Sequence, residues 1–106
     1  MGKGRLVLVP FPFTDLSGQK VRPALVLYVS RGEDCIVAFV SSISTKRGPF
    51  DVPIRATKAN GLKVDSVIKV DKVATLQKLI VLGELGMAEK AVCARVDLIL
   101  RKVFKL

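Results

Sequence analysis

The sequence has 106 residues, half of them hydrophobic, and carries 18 lysines and arginines against 9 acidic residues, a formal net charge of +9. This length fits a single domain, residues 1–106, with an apolar core of its own. The chain has no histidine and two cysteines, so catalysis by a histidine pair is excluded and a metal site such as structural zinc is not expected. Its apolar runs are far shorter than the roughly 20 residues of a membrane-spanning helix. We therefore expect a cytoplasmic protein without a membrane segment.

Short apolar runs alternate with turn-forming residues about every ten residues, which is typical of a mainly β domain. We expect strands near 5–11, 23–30, 35–43, 50–55, 66–71, 72–77 and 80–85. The segment 31–34 is predicted to be a hairpin turn, 46–49 to join the third and fourth strands, and 56–64 to be a crossing loop with a helical turn.

From residue 87 onward the apolar period changes. Val92, Val96, Ile99 and Val103 recur at three- and four-residue steps, with charged residues between them. This spacing predicts an amphipathic helix over 87–104, and its basic end suits the helix dipole. The whole pattern predicts a small β-barrel closed by a carboxy-terminal helix.

The positive charges are scattered along the chain, with no more than two in succession. A folded surface of this kind attracts polyanions and speeds their capture. A solvated, lysine-rich surface explains the same charge equally well, so charge alone leaves nucleic-acid binding open.

The most informative stretch runs from residue 4 to residue 30. Two β-branched runs flank the turn-rich segment PFPFTDLSG, residues 10–18, and the second run begins with Arg22-Pro23. Pro23 fixes its own φ and biases Arg22 toward extended backbone. An arginine held at the start of a strand, beside a loop, is well placed to bind an anion, because its guanidinium can donate two parallel hydrogen bonds to a phosphate.

Two further pairs qualify as site residues. Ser41 and Ser42 end an apolar run, where two hydroxyls can donate to phosphate oxygens, although serine pairs are also common in turns. Lys69 and Asp71 lie two residues apart in a predicted strand and so would share a face. Together they could exchange protons at a phosphate, or they could form an exposed ion pair of little energetic value.

Candidate RNA-binding residues surround these groups. Lys20 lies at the end of the turn-rich loop, and Lys46 and Arg47 form a compact basic spot beside Gly48. Phe13 could stack on a splayed base, although burial at the end of the barrel is the more common use of such a phenylalanine.

The string PFPFTDLSG followed by KVRPALVL, residues 20–27, resembles the amino-terminal signature of the MazF/PemK/Kid family of toxin endoribonucleases. A weaker likeness continues through IVAFVSSIS, DSVIKVDKVATL and the terminal helix, so it covers nearly the whole chain. The resemblance implies an SH3-like barrel of the MazF/PemK/CcdB type, a homodimer, and metal-independent, sequence-selective cleavage of single-stranded RNA, mainly mRNA. It also implies no cofactor, products with 2′,3′-cyclic phosphate and 5′-hydroxyl ends, and inhibition by a cognate antitoxin.

The resemblance also suggests roles for residues. Arg22 matches the family's catalytic arginine, and Ser41 and Ser42 match hydroxyls that contact the scissile phosphate. Lys69 and Asp71 match an Arg-x-Asp pair that has acid and base roles in Kid-like members. Which of Arg22, Lys69 and Asp71 gives or takes a proton stays open, as do the RNA target sequence and the antitoxin.

Alternative functions remain because the chain departs from the family pattern. Lys69 and Lys72 stand where arginine and glutamine are more usual, which leaves open a member that binds RNA or antitoxin without cutting. A CcdB-like inhibitor of DNA gyrase is another alternative, and a basic SH3-like adaptor is a third. The Arg22-Pro23 and Ser41-Ser42 pairs favour the endoribonuclease.

Overall fold

The computed structural model describes residues 1–11, 20–42 and 47–106. Within them, six strands precede one α-helix: β1 (Arg5–Phe11), β2 (Lys20–Val29), β3 (Asp34–Ser42), β4 (Asp51–Ile54), β5 (Ser66–Gln77), β6 (Gly83–Met87) and α1 (Lys90–Phe104). A 3-10 helix, Lys78–Ile80, lies between β5 and β6. Two predicted RNA-binding residues, Phe13 and Lys46, lie outside the described residues.

The six strands form one sheet in the order β4-β5-β3-β2-β1-β6. Each neighbouring pair is antiparallel, and the sheet curls into a half-barrel. The hairpin between β2 and β3 turns at residues 30–33, one residue before the predicted turn at 31–34. The predicted mainly β domain with a carboxy-terminal helix is confirmed.

Alternation along the strands divides the buried side chains between the two faces of the sheet, as period-two patterning requires. On one face the strands pack with Val96 of α1 in a cluster that includes Leu6, Leu25, Val40 and Ile68. On the other face lies a second cluster, which includes Val7, Val9, Ala24, Val26, Cys35 and Val37. Phe39, which is discussed below, packs against this second cluster, and by strand register Arg22, Ser41 and Lys69 lie on the same face.

The prediction of separate strands at 66–71 and 72–77 is wrong. These residues form the single strand β5, which pairs with β3 along its whole length. The register shifts in the middle: Ala38 lies opposite Val73, but the next residue, Phe39, lies opposite Lys69. Residues 70–72 are therefore an insertion, or bulge, in β5, and their polar Asp71-Lys72 pair resembles a turn in the sequence although the strand continues through it.

The segment between β4 and β5 is a loop with one helical turn, as predicted. The Gly61 N–H donates to the Thr57 carbonyl at 3.0 Å, which closes that turn. Asn60 is fully buried. Its side-chain oxygen accepts hydrogen bonds from the N–H groups of Thr57 and Leu62, and its amide donates to the Arg55 carbonyl. A single polar side chain thus satisfies three backbone groups of the loop.

Helix α1 begins at Lys90, three residues later than predicted, because residues 83–87 continue the sheet as β6. The helix ends with Lys105 in the left-handed conformation, φ 57°. There the Leu106 N–H donates to the Arg101 carbonyl at 2.9 Å. In the part of the chain that the structure describes, no helix is both long enough and apolar enough to cross a bilayer.

Candidate active site

A cleft of about 240 Å³ opens where β2, β3 and β5 lie side by side. Three positively charged side chains and one hydroxyl line it together with apolar groups: Arg22, Phe39, Val40, Ser41, Lys69 and Lys72. Arg22, Ser41 and Lys69 were all predicted from the sequence as catalytic residues. The structure brings these three together in one concavity.

The strand register explains this meeting. Ala24 of β2 lies opposite Phe39 of β3, and Phe39 in turn lies opposite Lys69 of β5. Residues directly opposite each other share a face of the sheet, as do residues two apart on one strand. Arg22 precedes Ala24 by two residues and Ser41 follows Phe39 by two. The guanidinium, the hydroxyl and the ammonium therefore lie on the same face.

Arg22 is held in β2 by its neighbours. It lies opposite Val9 of β1, while Pro23 lies opposite Leu8. Arg22 is half-buried, so the guanidinium stem is supported by the sheet. Arg22 lines the cleft, where its guanidinium can donate two parallel hydrogen bonds to the oxygens of one phosphate.

Lys69 has a specific carboxylate partner. Its Nζ lies 2.8 Å from Oδ2 of Asp51, the residue opposite it on β4. The Asp51 side chain is only 2% exposed, whereas that of Lys69 is 23% exposed. The Gly48 N–H donates to the same Oδ2 at 2.7 Å. The pair fixes the ammonium at one wall of the cleft.

The Asp51 carboxyl is ionised despite its burial. Removal from water acts to raise its pKa, but the hydrogen bonds from Lys69 and from the Gly48 N–H, together with the positive charges of Lys69 and Arg47, outweigh that effect. The pKa of Asp51 is therefore lowered from its ordinary value. Asp51 acts in the folded protein as a charged hydrogen-bond acceptor.

Asp71 does not line the cleft together with Lys69. It lies in the bulge of β5, is exposed, and is not among the cleft residues. The regular alternation that would place both side chains on one face is interrupted by the register shift after Lys69. Lys72, which the sequence marked only as a departure from the family pattern, lines the cleft instead. The catalytic role of Asp71 stays a prediction.

The remaining described candidates lie around the cleft and outside its lining. Lys20 begins β2 and is exposed, and Ser42 ends β3 and is exposed opposite Ser66. Arg47 is exposed beside Gly48, whose N–H is bound to Asp51. Their positions suit contacts with a long polyanion that extends beyond the cleft. Their RNA-binding roles stay predictions.

Sequence reasoning missed Asp51 and Phe39. A single acidic residue in the short apolar run 50–54 was the available signal for Asp51, because a carboxylate inside a strand needs a partner. Nothing in the sequence identifies that partner, since Lys69 lies eighteen positions away. Phe39 reads in sequence as an ordinary core residue.

The chemistry available at the cleft is charge stabilisation. Three cations and a hydroxyl converge there, which suits a phosphate on which negative charge increases during reaction. Among residues 1–11, 20–42 and 47–106 no group of three His, Cys, Asp or Glu side chains is placed to hold a metal ion.

Comparison with known proteins gives the family. The family model of the PemK-like, MazF-like toxins of type II toxin-antitoxin systems matches residues 2–104. This chain belongs to that family. The resemblance inferred from its sequence is confirmed. None of the curated proteins matches the chain.

Solved structures support the same fold. The chain is similar to MazF from Deinococcus radiodurans (24% identity, TM-score 0.79), covering 100% of this chain and 97% of that one. It is also similar to a MazE-MazF complex from Deinococcus radiodurans (27%, TM-score 0.77), with 100% and 97% covered. A third similar structure is an endoribonuclease from Mycobacterial species in complex with its cognate antitoxin (15%, TM-score 0.79), with 100% and 96% covered. The SH3-like barrel of the MazF type is therefore the fold of this toxin.

Proposed function

We propose that this toxin is a metal-independent, sequence-selective endoribonuclease that cleaves single-stranded RNA, mainly mRNA. The observation that carries the proposal is the convergence of Arg22, Ser41, Lys69 and Lys72 in one cleft. Family membership supports it, as does the fold shared with an endoribonuclease from Mycobacterial species. The products are RNA ends with a 2′,3′-cyclic phosphate and a 5′-hydroxyl.

In the proposed reaction the RNA 2′-hydroxyl loses its proton as its oxygen bonds to the adjacent phosphorus. The bond from phosphorus to the 5′-oxygen breaks, and that oxygen takes up a proton to become the 5′-hydroxyl, so the net reaction moves one proton from the 2′-oxygen to the 5′-oxygen. Negative charge grows on the non-bridging phosphate oxygens as the phosphorane forms. Arg22 donates two hydrogen bonds to those oxygens, Ser41 donates a third, and Lys69 contributes a fixed positive charge. Arg22 and Ser41 touch the reacting phosphate and are the catalytic residues with the strongest structural support.

The RNA on either side of the cut follows the positive surface around the cleft. Lys72 lies at the cleft itself, while Lys20 and Arg47 are exposed beside it. The net charge of +9 favours capture of RNA at low salt. Ser42 at the exposed end of β3 is placed to contact the sugar-phosphate backbone.

Two protein partners belong to the proposal. One is a cognate antitoxin, because similar structures include a MazE-MazF complex. The other is a second copy of the chain. An apolar depression of about 320 Å³ between α1 and the sheet, with Tyr28 and Phe104 exposed at its rim, is the kind of surface that homodimers bury. We place the active toxin in the cytoplasm, where mRNA is found.

A second function deserves a test because Asp71 lies outside the cleft and the cleft's Lys69 is paired with Asp51. With its lysine engaged, the site retains an anion-binding surface but has less capacity for proton transfer. The alternative is a toxin that binds RNA, antitoxin or DNA gyrase without cutting RNA.

One assay separates the two functions. Purified protein free of antitoxin is incubated in EDTA with a long unstructured RNA, and the cut ends are mapped. The proposal expects discrete cuts with 5′-hydroxyl ends that disappear in Arg22→Ala. Arg31→Ala, a change at the exposed β2–β3 turn, is the matched control and should cut normally. Intact RNA with folded protein would favour the non-cutting alternative and make gyrase inhibition the next assay.

A further inference from the structure

We propose that Asp51 is a positioning residue of this toxin, which holds the Lys69 ammonium at the scissile phosphate and ties Gly48 to the wall of the cleft. The inference rests on the proposed ribonuclease function and adds a residue that neither the sequence motifs nor the family match single out. Asp51 does not itself line the cleft, so it acts through Lys69, which does.

The first support is the contrast with the other ion pairs. Lys3 and Asp97 meet at 3.1 Å with both side chains about half exposed, and Arg5 and Glu84 meet at 3.3 Å in a similar setting. Such exposed pairs add little to stability. The Asp51 carboxylate, at 2% exposure, is instead removed from water, where an uncompensated charge is costly. The Asp51 carboxylate is compensated by Lys69, which lines the cleft.

The second support is that one carboxylate oxygen serves two donors. Oδ2 of Asp51 accepts from Lys69 Nζ at 2.8 Å and from the Gly48 N–H at 2.7 Å. The adjacent Val70 N–H donates to the Phe50 carbonyl at 3.2 Å. These three bonds fasten the start of β4 and residue 48 to the part of β5 that carries Lys69. Arg47, next to Gly48, is thereby kept beside the cleft.

The third support is the nature of lysine. Its ammonium is a point charge on a flexible four-carbon stem, so without a partner it samples many positions. Hydrogen bonding to Asp51 restricts it to one wall of the cleft, which Lys69 lines, while 23% of its side chain stays exposed. A charge fixed in advance stabilises a developing negative charge without reorganisation. The pair therefore makes a lysine act as a preorganised cation.

A double-mutant cycle tests the inference. Steady-state kcat and KM are measured on an RNA oligonucleotide with one cut site for wild type, Asp51→Asn, Lys69→Met and the double variant. We expect Asp51→Asn to lower kcat by about tenfold or more with KM changed by less than about twofold, as for loss of positioning. The double variant should be no slower than Lys69→Met, because Asp51 acts through Lys69.

Controls separate positioning from folding. Asp97→Asn removes an exposed carboxylate paired with Lys3 and should leave kcat unchanged. Asp51→Glu keeps the charge and should recover most of the lost rate. Melting curves identify any variant that is unfolded at the assay temperature, and the assay is then run below its melting midpoint.

The outcomes are distinct. A wild type that leaves RNA intact would overturn the proposed function and the positioning role together. A wild type that cuts RNA, with a folded Asp51→Asn variant that cuts equally fast, would overturn the positioning role alone. Effects of Asp51→Asn and Lys69→Met that multiply in the double variant would also overturn it, because the two residues would then act independently.

Discussion

The backbone of Gly61 packs directly against the Leu85 carbonyl: a Cβ placed on Gly61 would overlap with that oxygen. Gly61 also has φ 73°, a conformation that costs other residues roughly 1–2 kcal/mol. On the opposite side of the same contact, a Cβ on Gly86 would overlap with the Ala59 carbonyl oxygen. Two glycines thus allow the 56–64 loop to lie on β6.

We expect Gly61→Ala to destabilise the fold by about 2–4 kcal/mol, because backbone strain and the overlap with Leu85 add together. Urea unfolding monitored by circular dichroism measures this loss. Gly83→Ala is the matched control, since a Cβ there meets nothing within 4 Å. Equal stability of the two variants would contradict the close packing of the loop on β6.

The lowered pKa of Asp51 predicts an acid-dependent stability. A carboxyl whose folded-state pKa lies below its unfolded value, about 3.9, stabilises the fold fully above about pH 5, and that contribution is lost as pH falls through the folded-state pKa. Asp51→Asn should therefore be less stable than wild type at pH 7, with the gap narrowing below about pH 4. The free energy of unfolding from urea titrations at several pH values measures it. A gap that stays constant from pH 7 to pH 3 would show that the carboxylate charge is not the cause.

Lys72 should contribute to RNA affinity through a phosphate contact. Removing one such contact from a single-stranded complex reduces the slope of log affinity against log salt by roughly 0.7. We expect Lys72→Ala to show that reduction, measured by fluorescence anisotropy with a labelled RNA and the non-cutting Arg22→Ala background. Lys90→Ala, at the exposed start of α1, is the control and should leave the slope unchanged. Identical slopes for the two variants would place Lys72 away from the RNA.

The two cysteines should differ in reactivity. Burial raises the pKa of the Cys35 thiol, with Lys78 acting in the opposite direction, and Cys35 is fully buried. Burial also raises the pKa of Cys93, which is only half-buried. Because the thiolate is the reactive form, a thiol reagent at pH 8 should modify Cys93 first and Cys35 only on unfolding.

Single-cysteine variants Cys35→Ala and Cys93→Ala assign the two rates. Because burial raises the pKa of the Cys35 thiol, the free energy of unfolding includes its full contribution below the unfolded-state pKa of about 8.5. That contribution declines as pH rises above this value. Rapid modification of both thiols in the native protein would contradict the buried position of Cys35.

The extended backbone at Arg22 could be predicted because its determinants are local: Pro23 restricts the backbone, and the β-branched residues after it commit the segment to a strand. The strand begins at Lys20, three residues earlier than predicted, and the catalytic role of Arg22 stays a prediction. Ser41 and Lys69 lie in strands that the alternation of apolar residues predicted, and both line the cleft with Arg22; their roles stay predictions. The pattern of residues along one strand does not give its register against the neighbouring strand. The separation of Asp71 from Lys69 and the entry of Lys72 into the cleft follow from three residues inserted opposite a single step of β3.

Asp51 shows the same limit in another form. The role of its carboxylate depends on its contacts with Lys69 and Gly48. The contact with Lys69 joins two neighbouring strands, so it cannot be predicted from the residues around Asp51. Helix α1 was predicted three residues too long because Met87 fits both the strand and the apolar period of the helix, and pairing with Arg5 of β1 decides between them.

The bulge in β5 changes which side chains lie on each face of the strand, but β5 stays paired with β3 on both sides of it. The three inserted residues reverse the alternation of β5, so that Lys69 before the bulge shares a face with Ala74 and Leu76 after it. The pairing of Val73 to Gln77 with β3 is regular. Asp71 and Lys72 are exposed, so residues of another charge can replace them without altering the pairing of the rest of the strand. The surface proposed to bind RNA can therefore change at these two positions while the barrel stays the same.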